Sequence, residues 1–227
     1  MGARSGAARG RWARLGLAQR GPIDKTIQTM LLRQLYRSHY EARRFARARV
    51  LALQALELDV LADVLHQDAA RAALGERDTE GALSHLRRAA RCAPASRRAF
   101  HLWTLGSLLF LLHRYAESAA ALDRAERWSG PAARPLYRAH RALVRIAMGE
   151  RPHDLQSVVD ELAAAPCALG YGRFVLGHLA YASGRWAVAR RYLDDFVRAS
   201  QSEAALAIAL EGERQMAQTT MAAMCSN

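Results

Sequence analysis

The sequence predicts an all-α protein built from successive pairs of helices. Apolar residues recur at helical spacing from Ile23 onward, and no segment shows the strict apolar–polar alternation that is typical of a strand. Of the 227 residues, 51% are hydrophobic and 24% are charged, a composition typical of a globular protein. A set of small and large residues also repeats at fixed spacings, which favours an array of short repeats over one closed core.

The clearest repeat occurs in two segments that are offset by 71 residues, from Gly106 to Gly177. Each has a glycine, an aromatic residue nine positions later, and then three residues at steps of three, four and three. These residues are Gly106, Tyr115, Ser118, Leu122 and Ala125 in the first segment, and Gly177, Trp186, Ala189, Leu193 and Phe196 in the second. The agreement predicts two copies of one helix pair.

Three further copies fit the same frame with weaker matches. Their positions are Tyr36, Phe45, Ala48, Ala52 and Ala55; Ala70, Thr79, Ala82, Leu86 and Ala89; and Leu143, Ile146, Gly149, Leu155, Val159, Leu162 and Pro166. The shift from Ala48 to Ala82 is 34 residues. Five helix pairs are therefore predicted.

At these positions the chain resembles the tetratricopeptide repeat (TPR) family, with its Leu-Gly pair, its aromatic residue opening the second helix and a proline near the repeat end. Val60 and Gly130 depart from that pattern where the proline is expected, and Phe196 replaces the usual alanine. The resemblance implies a right-handed superhelical α-solenoid of about five helix pairs in residues 23–203. A C-terminal capping helix is expected in residues 204–227.

Glycines are predicted to have two structural roles in these repeats. Small residues such as Gly106 and Gly177 should let the two helices of a pair approach closely. Gly149 and Gly184 suit the turns between helices, where a positive φ is accessible to glycine at little cost.

Residues 1–22 are predicted to be a basic flexible tail. They contain five arginines and no acid, with only Trp12, Leu15 and Leu17 to bury. Two other interpretations stay open: an arginine-rich transit peptide, and a tail that becomes ordered on an acidic partner.

Nothing in the sequence predicts an enzyme. No phosphate-binding loop, zinc-protease or nucleophile-elbow motif is present, and Cys92, Cys167 and Cys225 are too far apart to suggest a metal site or a disulfide framework. No catalytic residues, no cofactor, no metal site and no membrane span are expected, and a cytoplasmic location is predicted. Arginine in place of lysine (Lys25 is the single lysine), together with abundant alanine, is typical of a GC-rich bacterial genome.

The TPR resemblance implies a groove lined by the first helix of each pair. Carried over by position, the partner-binding residues are basic in the N-terminal half and aromatic in the C-terminal half, and anchors of both kinds suit a peptide or a partner helix. They are Arg33, Arg37, Tyr40, Gln67, Arg71, Phe100, Trp103, Ser107, Phe110, Tyr137, His140, Val144, Tyr171, Phe174, His178 and Tyr181. Phe100, Phe110 and Phe174 fit packing between repeats equally well.

These observations favour a non-enzymatic protein–protein adaptor or scaffold. One alternative is a structural subunit of a large assembly. A further alternative is a nucleic-acid-associated helical array, in which the net charge of +12 and the basic tail would contact phosphates. The second helix pair balances five arginines with five acids, which argues against a continuous basic stripe. The oligomeric state is left open.

Overall fold

The computed structural model of the chain describes residues 6–224, and all regular secondary structure in that range is helical. Thirteen α-helices are present there, together with a short 3₁₀ turn at Pro166–Ala168. In chain order they are α1 (Gly6–Leu17), α2 (Lys25–Glu41), α3 (Phe45–Leu56), α4 (Ala62–Gly75), α5 (Thr79–Cys92), α6 (Ala95–Leu111), α7 (Tyr115–Trp128), α8 (Arg134–Ala147), α9 (Leu155–Ala164), α10 (Tyr171–Ala182), α11 (Trp186–Ser200), α12 (Ala204–Ala209) and α13 (Glu211–Ala223). The predicted all-α class is confirmed.

The helices divide into two compact units, residues 1–101 (unit 1) and 102–227 (unit 2), and the division falls inside α6. In unit 1, α1 packs on α2, α2 on α3, α3 on α4 and α4 on α5. In unit 2, α7 packs on α8, α8 on α9 and α10 on α11. Packing of each helix on its neighbours in sequence is consistent with an α-solenoid.

Close approach at glycine joins the two helices of a pair in unit 2, as the sequence predicted. A Cβ placed on Gly177 of α10 would lie 2.5 Å from Cδ2 of Leu193 on α11. A Cβ on Gly106 of α6 would lie 2.7 Å from Cγ of Leu122 on α7. The hydroxyl of Ser118 also donates to the carbonyl oxygen of Gly106 at 2.7 Å. Both pairs therefore cross at a point where there is no room for a side chain on the first helix.

The turn inside each of the five pairs has the same backbone hydrogen bonds. In the first turn, the N–H of Arg43 donates to the carbonyl of Tyr40, and the N–H of Arg44 to that of His39. This is the Schellman arrangement, in which one residue after the helix adopts a positive φ. In chain order, that residue is Arg43 (φ 54°), Arg77 (64°), His113 (57°), Gly149 (85°) and Gly184 (71°). The positive φ predicted for Gly149 and Gly184 is confirmed.

The N-terminal segment differs from the flexible tail that the sequence predicted. Residues 6–17 form α1, which buries Gly10 and Ala13 against α2. The lack of acids in this segment does not prevent docking, because Arg9 Nη1 pairs with Glu41 Oε1 of α2 at 2.6 Å. Small residues allow the two backbones to approach closely, so few large side chains are needed. The first five residues of the predicted tail lie outside the described range.

The C-terminal segment also differs in detail, since the capping helix expected in residues 204–227 is divided, within the described residues, into α12 and α13. The break lies at Leu210, where φ is −110°. None of the residues of α12 is fully buried, whereas α13 buries Glu213 and Ala217 and packs on α11 and α10. The break thus separates α12, a short helix with no buried residue, from α13, which packs on the fifth pair.

Candidate functional site

The first helices of unit 1 are joined by arginine–aspartate pairs. Arg33 of α2 donates from Nε to Oδ2 of Asp68 on α4 at 2.8 Å. Arg71, also on α4, has its Nη1 4.0 Å from the other oxygen of the same carboxylate. The Asp68 side chain is only 4% exposed, while those of Arg33 and Arg71 are 25% and 40% exposed. The buried acid therefore accepts a hydrogen bond from Arg33 and lies near Arg71, and both arginine side chains stay partly exposed.

A second buried aspartate repeats this arrangement one pair further along. Asp63 of α4 accepts two hydrogen bonds from Arg97 of α6, at 2.7 and 2.9 Å, and lies 3.0 Å from His101 Nε2. Burial works to raise the pKa of Asp63, but the hydrogen bonds from Arg97 and His101 outweigh it and lower the pKa to about 2. Burial is also the largest cause that lowers the pKa of His101. At neutral pH a neutral His101 therefore donates its Nε2–H to an ionised Asp63.

These residues form what we call the arginine face: Arg33, Arg37 and Arg71 with Arg97, supported by Asp63 and Asp68. Arg37 is exposed. Tyr40 and Gln67, which the sequence also placed on the groove, are only 4% exposed. Tyr40 instead stacks on Tyr36 with ring centroids 5.6 Å apart. Tyr40 and Gln67 therefore occupy packing positions, and the assignment of the arginines to a partner-binding groove stays a prediction.

The first helices of unit 2 meet through rings instead of ion pairs. Trp103 of α6 stacks on Tyr137 of α8 with centroids 5.8 Å apart, and contacts Tyr171 of α10 edge-on at 4.7 Å. The centroid of the His140 ring lies 5.4 Å from that of Phe110 and 5.6 Å from that of Tyr171. Further ring contacts continue along α10 and onto α11. They are Tyr171–Phe174, Phe174–His178 and Phe174–Phe196.

Most of this ring cluster is interior, which corrects its assignment to an open groove. Phe110, His140 and Phe174 are at most 2% exposed, and Ser107, Tyr137, Val144 and His178 are at most 5% exposed. The reason is that successive first helices in unit 2 carry rings large enough to fill the space between them. Phe110 and Phe174 therefore follow the packing alternative. Trp103, Tyr171 and Tyr181 are partly exposed, and Phe100, which belongs to unit 1, is 41% exposed.

Burial shifts the titration of several groups in unit 2. It lowers the pKa of His140 to about 3 and that of His178 to about 4, and it raises the pKa of Tyr137 to about 12. Burial also raises the pKa of Glu213 on α13 to about 7, although the Tyr171 hydroxyl donates to Glu213 Oε1 at 3.3 Å. One neutral hydroxyl compensates a buried carboxylate far less than the guanidinium that Asp63 has.

Asp63, Asp68 and Glu213 are the residues of the site that sequence reasoning missed. Both aspartates lie on the first helix of the second pair, where they counted only as charges that neutralise arginine. A signal was present for Asp63 and Asp68, because each lies 34 or 35 positions from its arginine, one repeat away. For Glu213 no periodic signal existed, since α13 follows the last repeat.

The arrangement has the chemistry to bind anions. Arginines held by buried carboxylates offer fixed donors for carboxylate or phosphate groups. Among residues 6–224, no three His, Cys, Asp or Glu side chains are grouped so that they could hold a metal ion. Within the same range, no helix has the length and apolarity needed to cross a membrane.

Comparisons with known proteins do not assign the chain to a family. No protein-family model matches the chain, and no curated protein matches it either. The class that the structure itself defines is an all-α protein whose helices pack on their sequence neighbours. Membership of the TPR family stays a prediction that rests on the repeat residues.

Proposed function

We propose that the protein is a non-enzymatic adaptor that binds an acidic segment of a protein partner on the arginine face of unit 1. The observation that carries this proposal is that two buried aspartates pair with partly exposed arginines. Asp68 pairs with Arg33 and lies near Arg71, and Asp63 pairs with Arg97. Four arginines face two aspartates, so the face keeps an excess of positive charge. Prepositioned guanidinium groups lose little entropy when they bind a carboxylate.

The helix pairs support the same function through their architecture. Five pairs with one turn geometry present one first helix after another, and we propose that they continue as a right-handed TPR-like superhelix. Such arrays bind extended or helical segments along their first helices. The burial of most rings in unit 2 favours the arginine face over the aromatic residues as the contact surface.

The test compares two full-length double variants that remove the same charge. Arg37→Gln with Arg71→Gln alters the face, whereas Arg88→Gln with Arg91→Gln alters exposed positions on α5. The probe is a fluorescent oligo-glutamate peptide, read by anisotropy at low salt. Removing one charge-assisted hydrogen bond should weaken binding about fivefold or more, so the face variant should bind on the order of tenfold or more weakly than wild type.

Affinity purification from the native host, followed by mass spectrometry, extends the test to natural partners. Acidic proteins that are recovered with wild type and with the α5 variant, but not with the face variant, would support the proposal. Equal peptide affinity and equal recovery for both variants would refute it. Circular dichroism on both variants should show unchanged helix content, so that a loss of binding reflects the altered face.

A further inference from the structure

A second basic surface lies on unit 1, formed by residues that the arginine face does not use. Arg14 of α1 and Arg44 and Arg47 at the start of α3 are all exposed. Both helices pack on α2, and Leu17 of α1 and Leu51 of α3 pack against the same buried cluster, so α1 and α3 are neighbours in unit 1. The three arginines therefore lie on neighbouring helices of unit 1, and their charges add to burial in lowering the pKa of His39 on α2.

These arginines have no acidic partner in the described part of the chain. No salt bridge there joins Arg14, Arg44 or Arg47 to a carboxylate, whereas Arg9, Arg33 and Arg49 in the same unit are each paired. Three like charges held together without a counter-ion repel one another. A surface of this kind is stabilised when an anion binds to it.

Large apolar side chains are exposed on the same two helices. Trp12 and Leu15 of α1 are 68% and 56% exposed, and Val50 of α3 is 63% exposed. Their helices are anchored through other faces: Gly10 and Ala13 of α1 and Ala48, Ala52 and Ala55 of α3 are buried. Both helices thus expose apolar residues together with arginines.

We propose that the outer surface of α1 and α3, comprising Arg14, Arg44 and Arg47 with Trp12, Leu15 and Val50, binds the anionic lipid headgroups of a membrane surface. Arginines attract the negatively charged headgroups, while tryptophan and aliphatic residues enter the boundary between headgroups and acyl chains. This combination favours lipid over nucleic acid, because phosphate contacts on a nucleic acid backbone make no use of exposed leucine and valine.

The experiment is cosedimentation of the full chain with vesicles of phosphatidylcholine, with and without about one-third phosphatidylglycerol. Wild type should bind only the anionic vesicles, and added salt should release it. The triple variant Arg14→Gln, Arg44→Gln and Arg47→Gln should bind these vesicles on the order of a hundredfold more weakly, since each arginine near the surface contributes about a factor of five. The matched control is Arg124→Gln, Arg151→Gln and Arg185→Gln, which removes the same charge from exposed positions in unit 2 and should bind like wild type.

Insertion is tested separately with brominated phosphatidylglycerol, which quenches tryptophan emission on contact. Quenching should be strong in wild type and in Trp186→Phe, whose tryptophan is 44% exposed on α11, and should be lost in Trp12→Phe. Equal binding to neutral vesicles, or an equal loss in the two triple variants, would overturn the proposal. So would tighter binding to single-stranded RNA that is unaffected by Trp12→Ala, which would assign the arginines to nucleic acid.

Discussion

Units 1 and 2 use the same helix-pair frame but join successive first helices by different chemistry. In unit 1 the contact between α2 and α4 includes the Arg33–Asp68 pair, and that between α4 and α6 includes Arg97, Asp63 and His101. In unit 2 the corresponding contacts are rings, such as Trp103 with Tyr137. The repeat therefore fixes how two helices pair, whereas the residues between pairs are free to become a binding face or a core.

Buried acids show the same contrast. Asp63 in unit 1 has two strong donors, and its pKa falls to about 2 despite burial. Glu213 in unit 2 has the Tyr171 hydroxyl as its side-chain donor, and burial raises its pKa to about 7. The buried carboxylate of unit 1 is therefore compensated by its donors, whereas that of unit 2 is only partly ionised near pH 7.

The largest effect is expected where unit 2 depends on glycine and unit 1 does not. In the repeat frame Gly177 corresponds to Ala70 of unit 1, so only unit 2 excludes even a methyl group there. Gly177→Val should lower the free energy of unfolding by about 3 kcal/mol, because the new side chain overlaps Leu193. Urea unfolding measures it. Gly130→Val is the control, since a Cβ at Gly130 has nothing within 4 Å. An equal loss in both variants would contradict the close crossing.

The second prediction removes the uncompensated charge from unit 2. Since the folded pKa of Glu213 is raised from 4.5 to about 7, its ionisation destabilises the fold progressively as pH rises from 4.5 to 7. Glu213→Gln should therefore raise the free energy of unfolding by about 3 kcal/mol at pH 8 and by little at pH 4. The control is Glu211→Gln, at an exposed position in the same helical turn. No gain at pH 8, or a gain that is equal at pH 4 and pH 8, would contradict the raised pKa of Glu213.

The helix pairs were predictable from sequence because small and large residues recur wherever two helices must cross. Gly106 and Leu122 meet as their spacing indicated, and Gly149 and Gly184 adopt the predicted positive φ. The same frame assigned residues to first helices correctly, since Arg33 and Tyr137 both lie on one. Local periodicity carries this information because each pair contacts mainly its neighbours.

Exposure within those helices was not predictable in the same way. Whether Phe174 lines a groove or fills a core depends on the size of residues one or two repeats away, such as Phe196 and Tyr171. The docking of α1 was hidden for a related reason, because its contact with α2 uses Gly10 and Ala13, which carry no hydrophobic signal. Whether a residue is buried or exposed depends on the side-chain volumes of neighbouring helices. The spacing of residues along one helix contains no information about those volumes.

A third, smaller effect tests whether the rings of unit 2 are a core. His140 is fully buried among Phe110 and Tyr171, and burial lowers its pKa from 6.5 to about 3. The folded state therefore binds fewer protons than the unfolded state below pH 6.5, and stability is lost as pH falls from there toward 3. Unfolding at pH 5 should cost about 2 kcal/mol less than at pH 7 through this group alone.

His140→Phe should remove that part of the pH dependence, since phenylalanine keeps the ring packing and has no proton to bind. His153→Phe, at an exposed position, should leave it unchanged. Urea titrations at pH 5 and pH 7 give the comparison. The core assignment fails if the two variants have the same pH dependence.

The smallest effect concerns the turns inside the pairs, where the two units again differ. Unit 1 places Arg43 and Arg77 at the positive-φ position, whereas two of the three turns in unit 2 use glycine. A side chain in this conformation costs about 1 kcal/mol, part of which is offset because glycine gains freedom in the unfolded chain. Arg77→Gly should therefore stabilise unit 1 by up to about 1 kcal/mol, and Gly184→Ala should destabilise unit 2 by about 1 kcal/mol, both measured by urea unfolding. Changes of the same sign in both variants would mean that the five turns do not share one geometry, and the common helix-pair frame would lose its clearest structural support.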